Sequence, residues 1–156
     1  MAGARNKRSL GKIADLIKNM KQRKIPVIYE QAGISEIIEA FVESTHSRLL
    51  YVVDSEGTLT GFISLGSLVR HVFFDYHDPY IDTRKLTHMA ISEIAGHFMQ
   101  REPHFAVASE DLQEVLQRMI KYNIKEIPIV DDEKKIVADL TIVDLLKQCR
   151  NVKGSI

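Results

Sequence analysis

A chain of 156 residues, 45% hydrophobic and 27% charged, has room for one ordinary domain or two small ones and the balance of a soluble globular protein. Its one cysteine, Cys149, excludes an intramolecular disulfide and, with no His at metal spacing, argues against a structural zinc site; no run of eighteen apolar residues could span a membrane, and the N-terminus lacks the apolar stretch of a secretory signal, so a cytoplasmic protein is expected. The formal net charge of zero is unevenly spread, because Met1 to Lys24 holds eight Lys and Arg against one Asp and leaves the remainder acidic.

In chain order, Leu10, Ile13, Leu16, Ile17 and Met20 recur at helical spacing with lysines between them, which predicts a basic amphipathic helix over Ser9–Met20 within a segment 1–24. Such a helix suits packing on its own domain or across a dimer better than a nucleic acid or membrane surface, and neither of those is expected as a partner. Pro26 cannot sit inside a helix, and Val27-Ile28-Tyr29 reads as a short strand. Ser35 precedes a helix with Ile34, Ile37, Ile38, Phe41 and Val42 on one side and Glu36, Glu39 and Glu43 on the other. The run Leu49 to Val53 suits a strand buried on both faces. Asp54 to Gly57 turns the chain, Thr58 to Ile63 returns as a strand, and Leu65 to Phe74 continues as a helix. Between Asp75 and Gln100 a polar segment (Asp75 to Asp82) leads into a predicted helix with the stripe Leu86, Met89, Ala90, Ile94, His97 and Phe98. Two β-branched runs, Ile127 to Val130 and Ile136 to Leu140, then flank the hinge Asp131 to Lys134, and Thr141 opens a helix carrying Ile142, Val143, Leu145 and Leu146.

Self-similarity decides the fold. Asp131 minus Asp54 gives an offset of 77, which lays Arg48 to Asp54 on Lys125 to Asp131 and Gly61 to Ser67 on Ala138 to Asp144. With one residue of slack, Ile34, Ile37, Ile38, Phe41 and Val42 fall on Leu112, Val115, Leu116, Met119 and Ile120. The expectation is an α+β fold of two β-α-β-β-α repeats, over 25–74 and 101–151, with an N-terminal helix (1–24), a helical connector (75–100) and a short tail (152–156).

Ile127-Pro128-Ile129-Val130-Asp131 and Ala138-Asp139-Leu140-Thr141-Ile142-Val143-Asp144, with their counterparts Leu50 to Asp54 and Gly61 to Ser67, resemble the CBS-domain pair, or Bateman module. Ile94 to Pro103 looks like the segment that leads into a second CBS repeat, and the resemblance covers Ile25 to Asn151. It implies a pseudo-twofold module with clefts between the repeats that hold an adenosyl ligand such as AMP, ADP or ATP, sometimes S-adenosylmethionine. Carried onto this chain, it implies a site at Thr141, Asp144 and Ala138, with Asp144 accepting from the ribose hydroxyls and Thr141 bonding a ribose or phosphate oxygen. Lys125 would supply the cation, and Pro26, Val27 and Leu49 the apolar adenine slot. A weaker second cleft falls on Ser64, Ser67 and Arg48, because Ser67 accepts a ribose diol less well than a carboxylate. Ala138 and Asp139 replace a Gly and an apolar residue of the motif, and Glu126 beside Lys125 opposes a phosphate.

From the residue types alone, Thr141-x-x-Asp144 reads first as a capping box, in which hydroxyl and carboxylate satisfy helix N-terminal donors; the resemblance brings nucleotide binding level with it. His71 and His77 near Asp75, Asp78 and Asp82, and His88 and His97 nine residues apart, follow no recognised ligand spacing, so no metal is expected. No nucleophile elbow, P-loop, H-E-x-x-H or Cys/His pair is visible, and a non-enzyme is expected. The expected function is adenylate sensing, passed by conformational change to a partner protein such as a transporter or enzyme. The alternative is a homodimeric interaction module without nucleotide.

Overall fold

Each half of the sequence folds as strand, helix, strand, strand, helix, and the mixture of helices with two small sheets makes the fold α+β. The computed structural model describes residues 9–77 and 93–153. They form two units, a first-repeat unit of residues 23–77, 93–104 and Asp132–Ile136, and a second-repeat unit of residues 9–22, Phe105–Asp131 and 137–153.

The first-repeat unit contains β1 (Val27–Tyr29), α2 (Ile34–Glu43), β2 (Leu49–Val53), β3 (Leu59–Ser64), α3 (Leu65–His77), α4 (Ala95–Phe98) and β4 (Gln100–Arg101). Its sheet has the order β1-β2-β3-β4. β1 runs parallel to β2 with Ile28 opposite Val52, and β2 and β3 form an antiparallel hairpin with Leu50 opposite Ile63. The hairpin turn is fixed by the Asp54 carboxylate, which accepts from the N–H groups of Glu56 and Thr58, and by Gly57 at φ +85°. Ile28, Ile34, Ile37, Leu50, Val52, Ile63 and Leu68 build the core, and Ala95 and Met99 close it. β4 pairs with β3 beside Gly61, where an added Cβ would lie 2.6 Å from the Gln100 carbonyl oxygen and 2.7 Å from Met99 Sδ. Only glycine permits that approach.

The second-repeat unit contains α1 (Ile13–Asn19), β5 (Ala106–Val107), α5 (Leu112–Lys121), β6 (Glu126–Val130), β7 (Ile136–Thr141) and α6 (Ile142–Lys153), with sheet order β5-β6-β7. Ala106, Leu112, Val115, Met119, Ile127, Ile129, Leu140 and Leu145 form its core together with Ile13 and Leu16 of α1. Burying these two α1 side chains contributes about 1.5–3 kcal/mol each.

Each unit therefore completes its core with a short helix that the other repeat's sequence follows. α1 precedes the first repeat, yet its Ile13 and Ala14 N–H groups donate to the carbonyls of Glu110 and Ala108 at 3.0 and 2.9 Å. α4 precedes the second repeat, and its Ala95 and Gly96 N–H groups donate to the carbonyls of Ala32 and Glu30 at 2.8 and 2.9 Å. The same pair of orphan helix-start donors is satisfied by the same loop in each unit.

Four expectations change at element ends. The first helix starts at Ile13 rather than Ser9, because Gly11 takes φ +88° and Lys12 is extended; Leu10 still packs on the core. Gly33, not Ser35, occupies the N-cap of α2, and Ser35 lies in its first turn. The third strand of the first repeat is shifted by one residue, to Leu59–Ser64, while Thr58 bridges Lys135. α3 runs past Phe74 to His77. The connector stripe is not one helix, since Ile94 is extended and bridges Gly33 ahead of the four-residue α4; Leu86, Met89 and Ala90 lie outside the described residues. β4 was not anticipated.

Candidate functional site

The two repeats place equivalent helix starts at the ends of β3 and β7. Leu65 N–H donates to the Arg48 carbonyl and Ile142 N–H to the Lys125 carbonyl, both at 2.8 Å, so these strands hold the first turns of α3 and α6 in the same way. In both starts a hydroxyl accepts from the N–H three residues on: Ser64 Oγ from Ser67 at 3.1 Å, and Thr141 Oγ1 from Asp144 at 3.3 Å.

The return interaction differs. Asp144 Oδ2 accepts from the Thr141 N–H at 2.8 Å and from the Thr141 hydroxyl at 3.1 Å, closing a reciprocal capping box around a carboxylate only 7% exposed. Ser67 instead donates its hydroxyl to the Ser64 carbonyl at 3.0 Å. The Thr141 proton is thus directed at Asp144, and its oxygen is left as an acceptor. A carboxylate has about four lone-pair positions, so accepting two bonds from Thr141 does not exhaust it.

The second repeat buries two further acids. Ile127, Ile129 and Leu140 point into the second unit's core, so by strand alternation Glu126 and Asp139 stand on the opposite sheet face. Both are buried, at 6% and 3% exposure. At the 77-residue offset their first-repeat counterparts are Leu49 and Phe62, and that of Asp144 is Ser67. The second repeat therefore carries three buried carboxylates where the first has none. This signal was readable from the aligned repeats, since all three substitutions go in one direction.

The other predicted residues divide between the units. Lys125 has an exposed side chain and contributes its carbonyl to the start of α6; Ala138 is half-buried and packs on the second unit's core. Arg48 plays the corresponding backbone role in the first unit, next to half-buried Leu49. Pro26 and Val27 line a cleft of about 240 Å³ together with Lys24, Ala40, Ser44 and the Glu36, Glu39 and Glu43 edge of α2. Leu49 does not line it.

His71, considered above beside acidic neighbours, stacks on Phe98 with ring centroids 5.2 Å apart and places Nε2 2.6 Å from Glu93 Oε2. The side chains of Asp75 and His77, and residues Asp78, Asp82 and His88, lie outside what is described. Among the described residues no three His, Cys, Asp or Glu side chains are grouped to hold a metal ion, and no helix is long and apolar enough to cross a membrane.

The CBS domain family model matches residues 13–73 and 91–151. A curated protein of Rickettsia prowazekii is 30% identical over 132 residues, covering 83% of this chain but 36% of its own length, so the chain spans about a third of that relative. A CBS domain-containing protein from Thermotoga maritima has a solved structure with TM-score 0.65 and 27% identity, covering 87% of this chain and 92% of that one. The CBS-pair protein CBSX2 of Arabidopsis thaliana, solved in complex with AMP, is similar with TM-score 0.68 and 20% identity over 91% of this chain and 98% of that one.

Proposed function

Because the chain belongs to the CBS domain family, through two matched repeats, we propose that it is a non-catalytic regulatory module that binds an adenosyl nucleotide of the AMP, ADP or ATP class. Asp144 accepts from the ribose hydroxyls, held at the start of α6 by the hydroxyl and N–H of Thr141. Lys125, Ala138 and the apolar residues Pro26, Val27 and Leu49 are the remaining proposed contacts. The observation that carries this reading is the buried, preset Asp144 carboxylate, which its repeat counterpart Ser67 does not reproduce. The cleft on Ser64, Ser67 and Arg48 is correspondingly the weaker one. AMP in the Arabidopsis CBS pair supports the ligand class. Ligand acts on a partner protein only through its differential affinity for two conformations.

Capping and ligand binding are separable. Asp144→Asn keeps a side-chain carbonyl oxygen that can accept from the Thr141 N–H in the box capped by Thr141, while losing the charge-assisted acceptor. Wild-type protein is expected to melt higher in AMP, ADP or ATP; ligand at a hundred times its Kd adds about 2.7 kcal/mol. Asp144→Asn should fold with a melting point slightly below that of wild type and lose that response. Unchanged wild-type melting in millimolar adenylates overturns the reading.

A second reading has its own observation. Between α2 and α3 runs an apolar groove of about 460 Å³ lined by Ile38, Phe41, Val42, Leu65, Val69 and Phe73 among others, with Val42 63% and Phe73 56% exposed. The other unit repeats the theme on α5 and α6 with exposed Ile120, Val143 and Leu146. Such faces suit a homodimer without nucleotide. Sedimentation of wild type against Val42→Glu distinguishes it: a dimer that dissociates in the variant and ignores adenylates favours this reading.

A further inference from the structure

The acidic edge of α2 is more than a solvated face. Glu36, Ala40 and Ser44 follow one another at intervals of four, which aligns them in a strip about 12 Å long on the helix surface, with Glu39 and Glu43 beside it. The Lys24–Val27 segment and this strip together line the 240 Å³ cleft, so its lining combines carboxylates with the apolar side chains of Pro26 and Ala40.

Its polar groups are unequally used. Lys24 Nζ lies 2.6 Å from Glu43 Oε2 and marks where an ammonium group sits. Glu36 and Glu39 make no ion pair or side-chain hydrogen bond with any described residue. Ser44 lines the cleft at only 4% exposure, and its hydroxyl bonds to no described residue.

We propose that this cleft binds a linear aliphatic polyammonium ion. Its ammonium groups lie along Glu36 and Glu39, a terminal one donates to Ser44 Oγ, and its methylenes cover Pro26 and Ala40. A dication or trication is selected because two carboxylates remain after Lys24 has taken Glu43. An anion is excluded by the same count, and a purely apolar guest leaves Ser44 unanswered. An extended triamine has a length comparable to the strip. The site lies wholly within the first-repeat unit and does not depend on nucleotide binding.

The test is a backbone amide NMR titration of the full chain with spermidine, with n-butylamine as the singly charged control. Saturable shifts confined to Val27 and the Glu36–Ser44 edge are expected, with n-butylamine at least roughly tenfold weaker, as loss of a charged hydrogen bond predicts. The Glu36→Gln/Glu39→Gln double variant, surface changes that leave the core untouched, should weaken spermidine by about tenfold or more, and Ser44→Ala by a smaller factor. Shifts scattered over other acidic residues, equal affinity in the double variant, or n-butylamine binding as tightly as spermidine each overturn the proposal.

Discussion

The starts of α3 and α6 carry out the same backbone task with different chemistry. Both are pinned by a strand carbonyl and a hydroxyl, but Ser67 gives its proton back to Ser64, whereas Asp144 receives two protons from Thr141. The first arrangement is closed on itself; the second concentrates negative charge at a helix N-terminus, where the helix dipole favours it. Duplication has thus preserved geometry and altered charge, and Leu49 against Glu126 and Phe62 against Asp139 follow the same direction.

The largest expected effect comes from the exchanged helices. Ile13→Ala should destabilise the protein by about 2–5 kcal/mol, as truncation of a fully buried side chain does, read as a lower urea midpoint. Native-like stability in that variant would mean α1 is dispensable and the units less alike than described. Next is the contrast of Gly61 with Ala138. Gly61→Val drives a side chain into Gln100 and Met99 and should cost about 1–3 kcal/mol or more, while Ala138→Gly, with no β4 beside it, should cost about 0.5–1 kcal/mol by thermal melting.

Smaller still are the caps. Asp144→Ala should cost about 0.5–2 kcal/mol and Ser67→Ala less, since only Asp144 takes up a backbone N–H. Equal losses in chemical denaturation would erase the distinction between the helix starts.

The smallest effect is pH-dependent and belongs to the second-repeat unit. Arg118 donates to both Glu110 carboxylate oxygens, at 2.9 and 3.3 Å, and also to the Phe105 carbonyl. The hydrogen bond from Arg118, reinforced by the Val107 N–H, holds the Glu110 carboxyl below its usual range. A depressed folded pKa stabilises above the unfolded value and is lost as pH falls through the folded one. Wild type and Glu110→Gln should therefore differ in urea midpoint at neutral pH and converge in acid; a constant gap would show that the pair acts by packing alone.

Repeat architecture was legible because burial imposes period two on strands and 3.6 on helices, and two copies in register confirm one another. Element ends were not, because they depend on partners remote in sequence: Ile94 is extended because Ala32 and Glu30 capture the next N–H groups. Ala138 stands where the motif has a glycine. In space it reflects an edge that no β4 equivalent covers among the described residues. Thr141 and Asp144 were readable as a pair. The direction of the hydroxyl proton was not, since it is set by where the strand end places the carboxylate. Glu36, Glu39 and Ser44 were hidden for the opposite reason, as ordinary residues given meaning only by the segment facing them.

The exchange of α1 and α4 also bears on synthesis from the N-terminus. α1 is made before the residues that cover its Ile13 and Leu16, which extend to Leu145. The second-repeat core cannot close until the chain has emerged through Leu145, and until then the apolar face of α1 waits among lysines. The first-repeat core, needing only Ala95 and Met99 from beyond its own helices, can close earlier. Cutting between the matched segments would leave one half with a helix it cannot use and the other with a groove it cannot fill.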